Sequence, residues 1–170
     1  MDVFEAITKR YSCRSYKPIP VETEKLSKIL EAARLAPSAR NLQDWRFVVV
    51  TDPDTKKQLA VAANNQKPVA QAAAVIVACS NSDHVMRCGQ PIAPIDVAIA
   101  LEHIALEATE LGLATCWIGS FYPDKVKPIL GIPEDIQIIE LMTIGYPADT
   151  QPTQDRNPLD SIVSYEKWNF

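Results

Sequence analysis

Apolar residues recur along this chain with two periods, one helical and one of short unbroken runs. Near the N-terminus Val3, Phe4 and Ile7 share one helical face and Asp2 is placed to cap it, which predicts a short helix over Asp2 to Lys9. Between Val21 and Ala36, Leu26, Ile29, Leu30 and Ala33 recur at helical spacing until Pro37 stops the helix. Four apolar runs read as buried strands: Trp45 to Thr51 (WRFVVVT), Ala74 to Cys79 (AVIVAC), Ala114 to Ile118 and Gln137 to Ile144. Helices are predicted between them at Asp54 to Ala62, with Pro53 suited to its first turn, at Ile95 to Leu111 and at Asp124 to Leu130. Strands that alternate with helices and lack polar alternation indicate an α/β or α+β domain whose sheet is covered on both faces.

The helix from Ile95 to Leu111 is apolar on nearly every side and stops at Gly112. A chain of 170 residues has little room to enclose such a helix, so the pattern predicts a dimer built around it. The segment from Pro147 to Phe170 has no strong period before Ile162 but is aromatic, and reads as an arm that embraces a partner.

Composition narrows the class. Apolar residues at 47% and charged residues at 22% describe an ordinary globular protein, and the length suits a single domain over 1–170. A chain this long builds a core without disulfides or metals. A net charge of −4 and a pI near 5.2 argue against a nucleic-acid partner. No run approaches the ~18 apolar residues of a membrane span. The N-terminus lacks the basic start, apolar stretch and small-residue cleavage site of a signal peptide, so the chain reads as cytoplasmic, without a membrane partner. Cys13, Cys79, Cys88 and Cys116 are scattered, with no ligand spacing, which predicts buried or incidental thiols and no metal site.

Protein-borne catalysis leaves no signature. There is no G-x-S-x-G elbow, H-E-x-x-H, Walker loop or dinucleotide G-x-G-x-x-G, and the two histidines, His84 and His103, stand apart. With no nucleophile or base to assign as catalytic, an organic cofactor is one way for such a chain to run a reaction. Four segments offer cofactor chemistry. The run Lys9 to Tyr16 (KRYSCRSY) places arginines on either side of a hydroxyl, inverting the local charge of an acidic protein and suiting a phosphate. Ala36 to Trp45 (APSARNLQDW) joins a helix to a strand with small residues that let backbone approach a flat ligand. Gly112 to Gly119 (GLATCWIG) puts a glycine at a strand end, a favoured ligand position in α/β proteins. Gln154 to Leu159 (QDRNPL) carries an arginine in the tail.

In this order the segments resemble the FMN-dependent nitroreductase family. The matches are Arg10-Tyr11-Ser12-Cys13-Arg14, Pro37 to Trp45, Gly112 to Gly119, Ile144-Gly145-Tyr146-Pro147, Arg156 to Leu159 and the ending Val163 to Trp168, from end to end of the chain. The resemblance implies an α+β fold, a three-layer α/β/α sandwich with a mixed, mostly antiparallel sheet, and a homodimer that exchanges the arm 147–170 and holds FMN at its interface. It implies that Arg10, Ser12 and Arg156, with Tyr11 and Gln154 beside them, hold the phosphate and ribityl chain. Arg14 and Asn65 would lie near the pyrimidine edge, and Trp117, Ile118 and Gly119 near N5. Pro37, Ser38, Ala39 and Asn41 would come from the partner. The implied activity is electron transfer from NADPH, NADH or a redox protein donor to nitroaromatic, quinone or similar small-molecule acceptors, by ping-pong kinetics. Flavin cleavage, reductive dehalogenation and a non-catalytic flavin-binding dimer are the alternatives. Departures from the family pattern are Asp44 for proline, Gln154 for a basic residue, Pro68 where some members have lysine, Tyr11 for arginine or histidine, and a short stretch between Cys79 and Ile95. The short stretch predicts an open or partner-completed pocket.

Overall fold

The computed structural model describes residues 1–152 and 155–170. Helix α1 (Val3–Lys9) is capped by Asp2, whose carboxylate accepts from Glu5 N at 2.8 Å. Helix α2 (Thr23–Arg34) starts two residues later than its pattern suggests, because Glu22 takes the cap position in an extended conformation. Strand β1 (Trp45–Val50) leads into α3 (Pro53–Ala62), where Asp52 caps Thr55 N and Pro53 begins the first turn. A five-residue helix α4 (Lys67–Gln71), too short to leave a period in the sequence, precedes β2 (Ala74–Ser80). Helix α5 (Ile92–Glu110) begins three residues before the predicted Ile95, since Pro94 falls in its first turn, where a missing N–H costs nothing. Its end is a Schellman turn: Gly112 has φ +74°, Leu113 N donates to Ala108 O at 2.8 Å and Gly112 N donates to Thr109 O at 3.1 Å. Strand β3 (Ala114–Ile118), α6 (Pro123–Leu130) and β4 (Gln137–Gly145) complete the domain.

The four strands are ordered β1-β2-β4-β3 and every pair is antiparallel, which makes the fold α+β rather than α/β. Among the described residues, parallel pairing enters through a single bridge, Ser12 to Thr115, at the edge of β3. All seven residues of β2 are buried and alternate between two cores. On one face Ile76, Met142 and Ile144 pack against Ile29 of α2 and Val97, Leu101 and Ile104 of α5. On the other, Val75, Val77 and Leu141 pack against Leu59 of α3, Val69 of α4 and Val126 of α6. Each such side chain, fully buried, contributes ~1.5–3 kcal/mol, and together they set the three layers.

Helix α5 is enclosed far more completely than its composition implies. One side packs on all four strands, the other on α2 and α1, and only Pro94, Ile95 and Glu110 of its residues are exposed. An all-round apolar helix is here a core helix within one chain, so it does not by itself require a dimer. The uncovered apolar surface lies elsewhere. On α1 only Ala6 is buried, while Val3 and Phe4 are 72% and 75% exposed, so the face read from the sequence points outward. In the tail, which carries a 3₁₀ turn at Leu159–Ser161, Leu159, Ile162, Tyr165 and Trp168 are also exposed.

Candidate functional site

The basic run leaves α1 at Arg10 in an extended conformation and is sewn along the free edge of β3. Ser12 bridges Thr115, and Cys13 N donates to Thr115 O at 2.9 Å. Further on, Lys17 N donates to Tyr146 O at 2.8 Å and Ala148 N to Ser15 O at 2.9 Å, which ties the run to the chain leaving β4. Tyr16 is buried with its hydroxyl 2.7 Å from Thr143 Oγ1, and its ring lies over Gly145, where a Cβ would stand 2.9 Å from Tyr16 Cδ1.

One carboxylate gathers the run. Asp149 Oδ1 accepts from Tyr11 Oη at 2.9 Å and Cys13 Sγ at 3.1 Å, and Oδ2 accepts from Arg14 N at 2.9 Å. Burial pushes the Asp149 carboxyl up, but the bonds from Arg14 N, Cys13 and Tyr11 prevail and hold it below the ordinary value. Burial, reinforced by Asp149, raises Tyr11 and pushes the Cys13 thiol up to about 11, so both stay protonated as donors. Tyr11 is thus turned inward to Asp149, while the Arg14 side chain remains exposed, with Nη1 donating to Ser12 O at 3.2 Å. Arg10 Nε lies 3.6 Å from Glu102 Oε1 of α5.

At the other end of β3 the chain emerges at Gly119 and Ser120, both exposed. A tight turn between α3 and α4 is stapled to it: Asn64 Nδ2 donates to Ser120 Oγ at 2.6 Å and Gln66 Nε2 to Ser120 O at 3.0 Å. Asn64 and Asn65 both adopt positive φ, which asparagine tolerates better than most residues, and Asn65 is left exposed between the two staples. The Glu140 carboxylate lies under the turn, 3.6 Å from where a Gly119 Cβ would be, and burial raises its pKa. Trp117 is half-buried and the Ile118 side chain is in the core, so at Ile118 only backbone can face a ligand.

The segment Pro37 to Asn41 lies at the start of β1, on the opposite edge of the sheet. Three strand spacings separate the two edges, ~14 Å. The loop is held rigidly there. The buried Asp96 of α5 accepts from Ala39 N at 3.0 Å and Ser38 Oγ from Gln43 N at 3.0 Å, while Arg40, Asn41 and Gln43 all take positive φ. Backbone strain of this kind is kept where the surroundings over-determine it, commonly at ligand sites. Arg156 is exposed on the tail, with Nη1 donating to Asp155 O at 2.9 Å. Gln154 lies outside the described residues.

One edge therefore carries a strip along β3: cations and hydroxyls near Thr115, a turn without a side chain at Gly119, and three residues between, four steps or ~13 Å of strand. That arrangement fits an elongated, flat ligand with an anionic end. The structure brings Arg10, Tyr11, Ser12, Arg14, Asn65, Trp117, Ile118 and Gly119 to this strip. It does not bring Pro37, Ser38, Ala39 and Asn41 to the same strip of the same chain. Asp96, Asp149, Asn64 and Ser120 support the site but were not singled out from the sequence. A lone acidic or amide side chain has no periodicity, and its partners are distant in sequence. His103 is structural, its Nδ1 3.1 Å from Ala32 O of α2.

A family model described as the nitroreductase family matches residues 7–88 and 65–146. An NADH dehydrogenase of Thermus thermophilus is 35% identical over 96% of this chain and 95% of its own length. A nitroreductase family protein of Clostridium difficile has a crystal structure similar to this one at a TM-score of 0.89, with 35% identity over 99% of this chain and 100% of that one. The NADPH:FMN oxidoreductase of Vibrio harveyi, complexed with NAD+, superposes at 0.90, with 26% identity over 99% of this chain and 78% of that one.

Proposed function

Because this chain belongs to the nitroreductase family, we propose that it is an FMN-dependent oxidoreductase that takes electrons from NADPH or NADH. The observation that carries the reading is the strip along β3, whose cationic end, strand-length spacing and side-chain-free turn fit FMN. FMN, when bound, supplies the hydride chemistry, so the chain needs no nucleophile or base of its own.

The residues divide the work. Arg10, Ser12 and Arg156 would hold the phosphate end, where guanidinium groups bind through paired, charge-assisted hydrogen bonds. Tyr11 stiffens this end through Asp149. Arg14 supplies a fixed positive charge at the ring edge, and Asn65 a donor and acceptor beside it. Trp117 and the backbone of Ile118 and Gly119 would form the wall at the ring's other end. Preorganised charge of this kind favours the electron-rich reduced state.

We further infer that the active form is a homodimer. Pro37, Ser38, Ala39 and Asn41 stand on the sheet edge remote from the strip, so a second copy is the economical source of that loop. The exposed apolar residues of α1 and the tail supply surface for such an assembly. The remaining face is shared by donor and acceptor in turn, giving ping-pong kinetics with nitroaromatic, quinone or similar small acceptors. Segment 81–91 is a short turn-bearing loop, which favours an open or partner-completed pocket.

The test is a visible absorption spectrum of purified protein, before and after NADPH or NADH is added without oxygen. Flavin bands that bleach are expected. Bands that persist with both nucleotides would transfer the donor role to a redox protein. No bands after reconstitution with FMN would overturn the reading.

A further inference from the structure

The carboxylate of Asp149 belongs to no segment that carries the family resemblance, yet it is the meeting point of the basic run. Three donors of that run, the Tyr11 and Cys13 side chains and the Arg14 backbone N–H, end on its two oxygens. Other bonds fix the residues on either side of Arg14: Cys13 N to Thr115 O, Lys17 N to Tyr146 O and Ala148 N to Ser15 O. The N–H of Arg14 goes to Asp149 Oδ2, at 2.9 Å. The direction of that N–H sets the peptide plane, and the plane sets where the Arg14 side chain leaves the backbone.

An anion in this position is unexpected on simple charge grounds, because it stands among the cations meant for a phosphate. A neutral acceptor would avoid the repulsion. The bonds to a carboxylate, however, are about twice as strong as neutral ones, and here they come from a buried thiol, a half-buried phenol and a backbone amide.

We propose that Asp149 is a positioning residue that locks the basic run against the end of β4, and that through the Arg14 backbone it sets both the affinity for FMN and the reduction potential of the bound flavin. The inference rests on the flavin reading above. Asp149 touches neither cofactor nor substrate; it acts through Arg14, Cys13 and Tyr11. An asparagine cannot replace it, because one oxygen can still face Tyr11 and Cys13 but the NH2 is then set against the Arg14 N–H, donor against donor.

The experiment compares the wild type with Asp149→Asn, Tyr11→Phe and Asp52→Ala, measuring FMN dissociation constants by fluorescence quenching, flavin midpoint potentials and thermal melts. Asp149→Asn is expected to weaken FMN binding about tenfold, the range of one lost charge-assisted bond, and to lower the midpoint potential as Arg14 loses its fixed place. Tyr11→Phe removes one donor of the three and is expected to weaken binding about threefold, keeping the inference testable if the asparagine variant folds poorly. Asp52→Ala removes the cap of α3, away from the strip, and is expected to lower the melting temperature while leaving affinity and potential unchanged. A purely structural role for Asp149 would lower the melting temperature without moving the potential, and that result overturns the inference. So does a raised potential or tighter FMN binding in Asp149→Asn, which would mean that the carboxylate acts by charge through space or competes with the phosphate. Wild-type protein that takes up no FMN would instead overturn the flavin reading itself.

Discussion

A methyl group at Gly145 would sit 2.9 Å from Tyr16 Cδ1 and 3.1 Å from Ala73 N, and neither can retreat, since Tyr16 is buried and Ala73 N is backbone. Gly145→Ala is therefore expected to cost ~1–3 kcal/mol as an overpacked site, seen as a drop in melting temperature of several degrees for a chain of this size. Asp149 makes a second residue-level expectation. Its folded pKa lies below its unfolded value, so the stability it lends is present above the unfolded pKa of ~3.9 and is lost as pH falls through the folded value. The melting-temperature gap between wild type and Asp149→Asn should be open at pH 7 and narrow progressively as pH falls below ~3.9. A gap of constant size would show that the charge of Asp149 contributes nothing to folding. Both residues act through contacts distant in sequence, and for that reason the sequence displayed Gly145 only as part of a motif and Asp149 not at all.

Elements were legible where a period or a stop was present. The strand Ala114–Ile118 lies where its apolar run predicts, and α5 ends at the glycine that its pattern names. Starts were harder to read, because a proline in the first turn is compatible with a helix and looks like a breaker. Helix α4 had no period to show, yet it anchors a neighbour. Lys56 of α3 is buried, and its ammonium donates to the carbonyls of Ala72 and Ala73, where α4 passes into β2. Burial lowers the Lys56 pKa, and Asp52 only partly opposes this. Lys56→Ala would leave two carbonyls short of a donor, and a loss of ~1–3 kcal/mol is expected by chemical denaturation. No loss would mean that water replaces the ammonium at that junction.

At the scale of the molecule, one chain closes its own core around α5 but leaves apolar residues of α1 and the tail in solvent, with Trp168 83% exposed. Side chains of that size and number are seldom left uncovered in a working protein. If the proposed homodimer is held by this surface, removal of residues 159–170 is expected to yield a monomer in analytical ultracentrifugation and to release FMN, since the strip would lose the Pro37–Asn41 loop of the second copy. A truncated protein that stays dimeric and keeps flavin would assign the interface to other surfaces. No helix among the described residues is long and apolar enough to cross a membrane.

The sequence by itself determined the local structure. Periodicity, caps and stops are properties of neighbouring residues, so the helices long enough to show a period, the strands and the small or basic segments between them could be read along the chain. Strand direction, sheet order and the destinations of side chains depend on residues far apart in sequence, and only the tertiary structure decided them. It turned the strands antiparallel, enclosed α5 within one chain, and put the Pro37–Asn41 loop and the basic run on opposite sheet edges. It also brought the donors of Tyr11, Cys13 and Arg14 to a carboxylate more than a hundred residues away. A lone charged side chain carries no period, and its role exists only once the chain has folded around it.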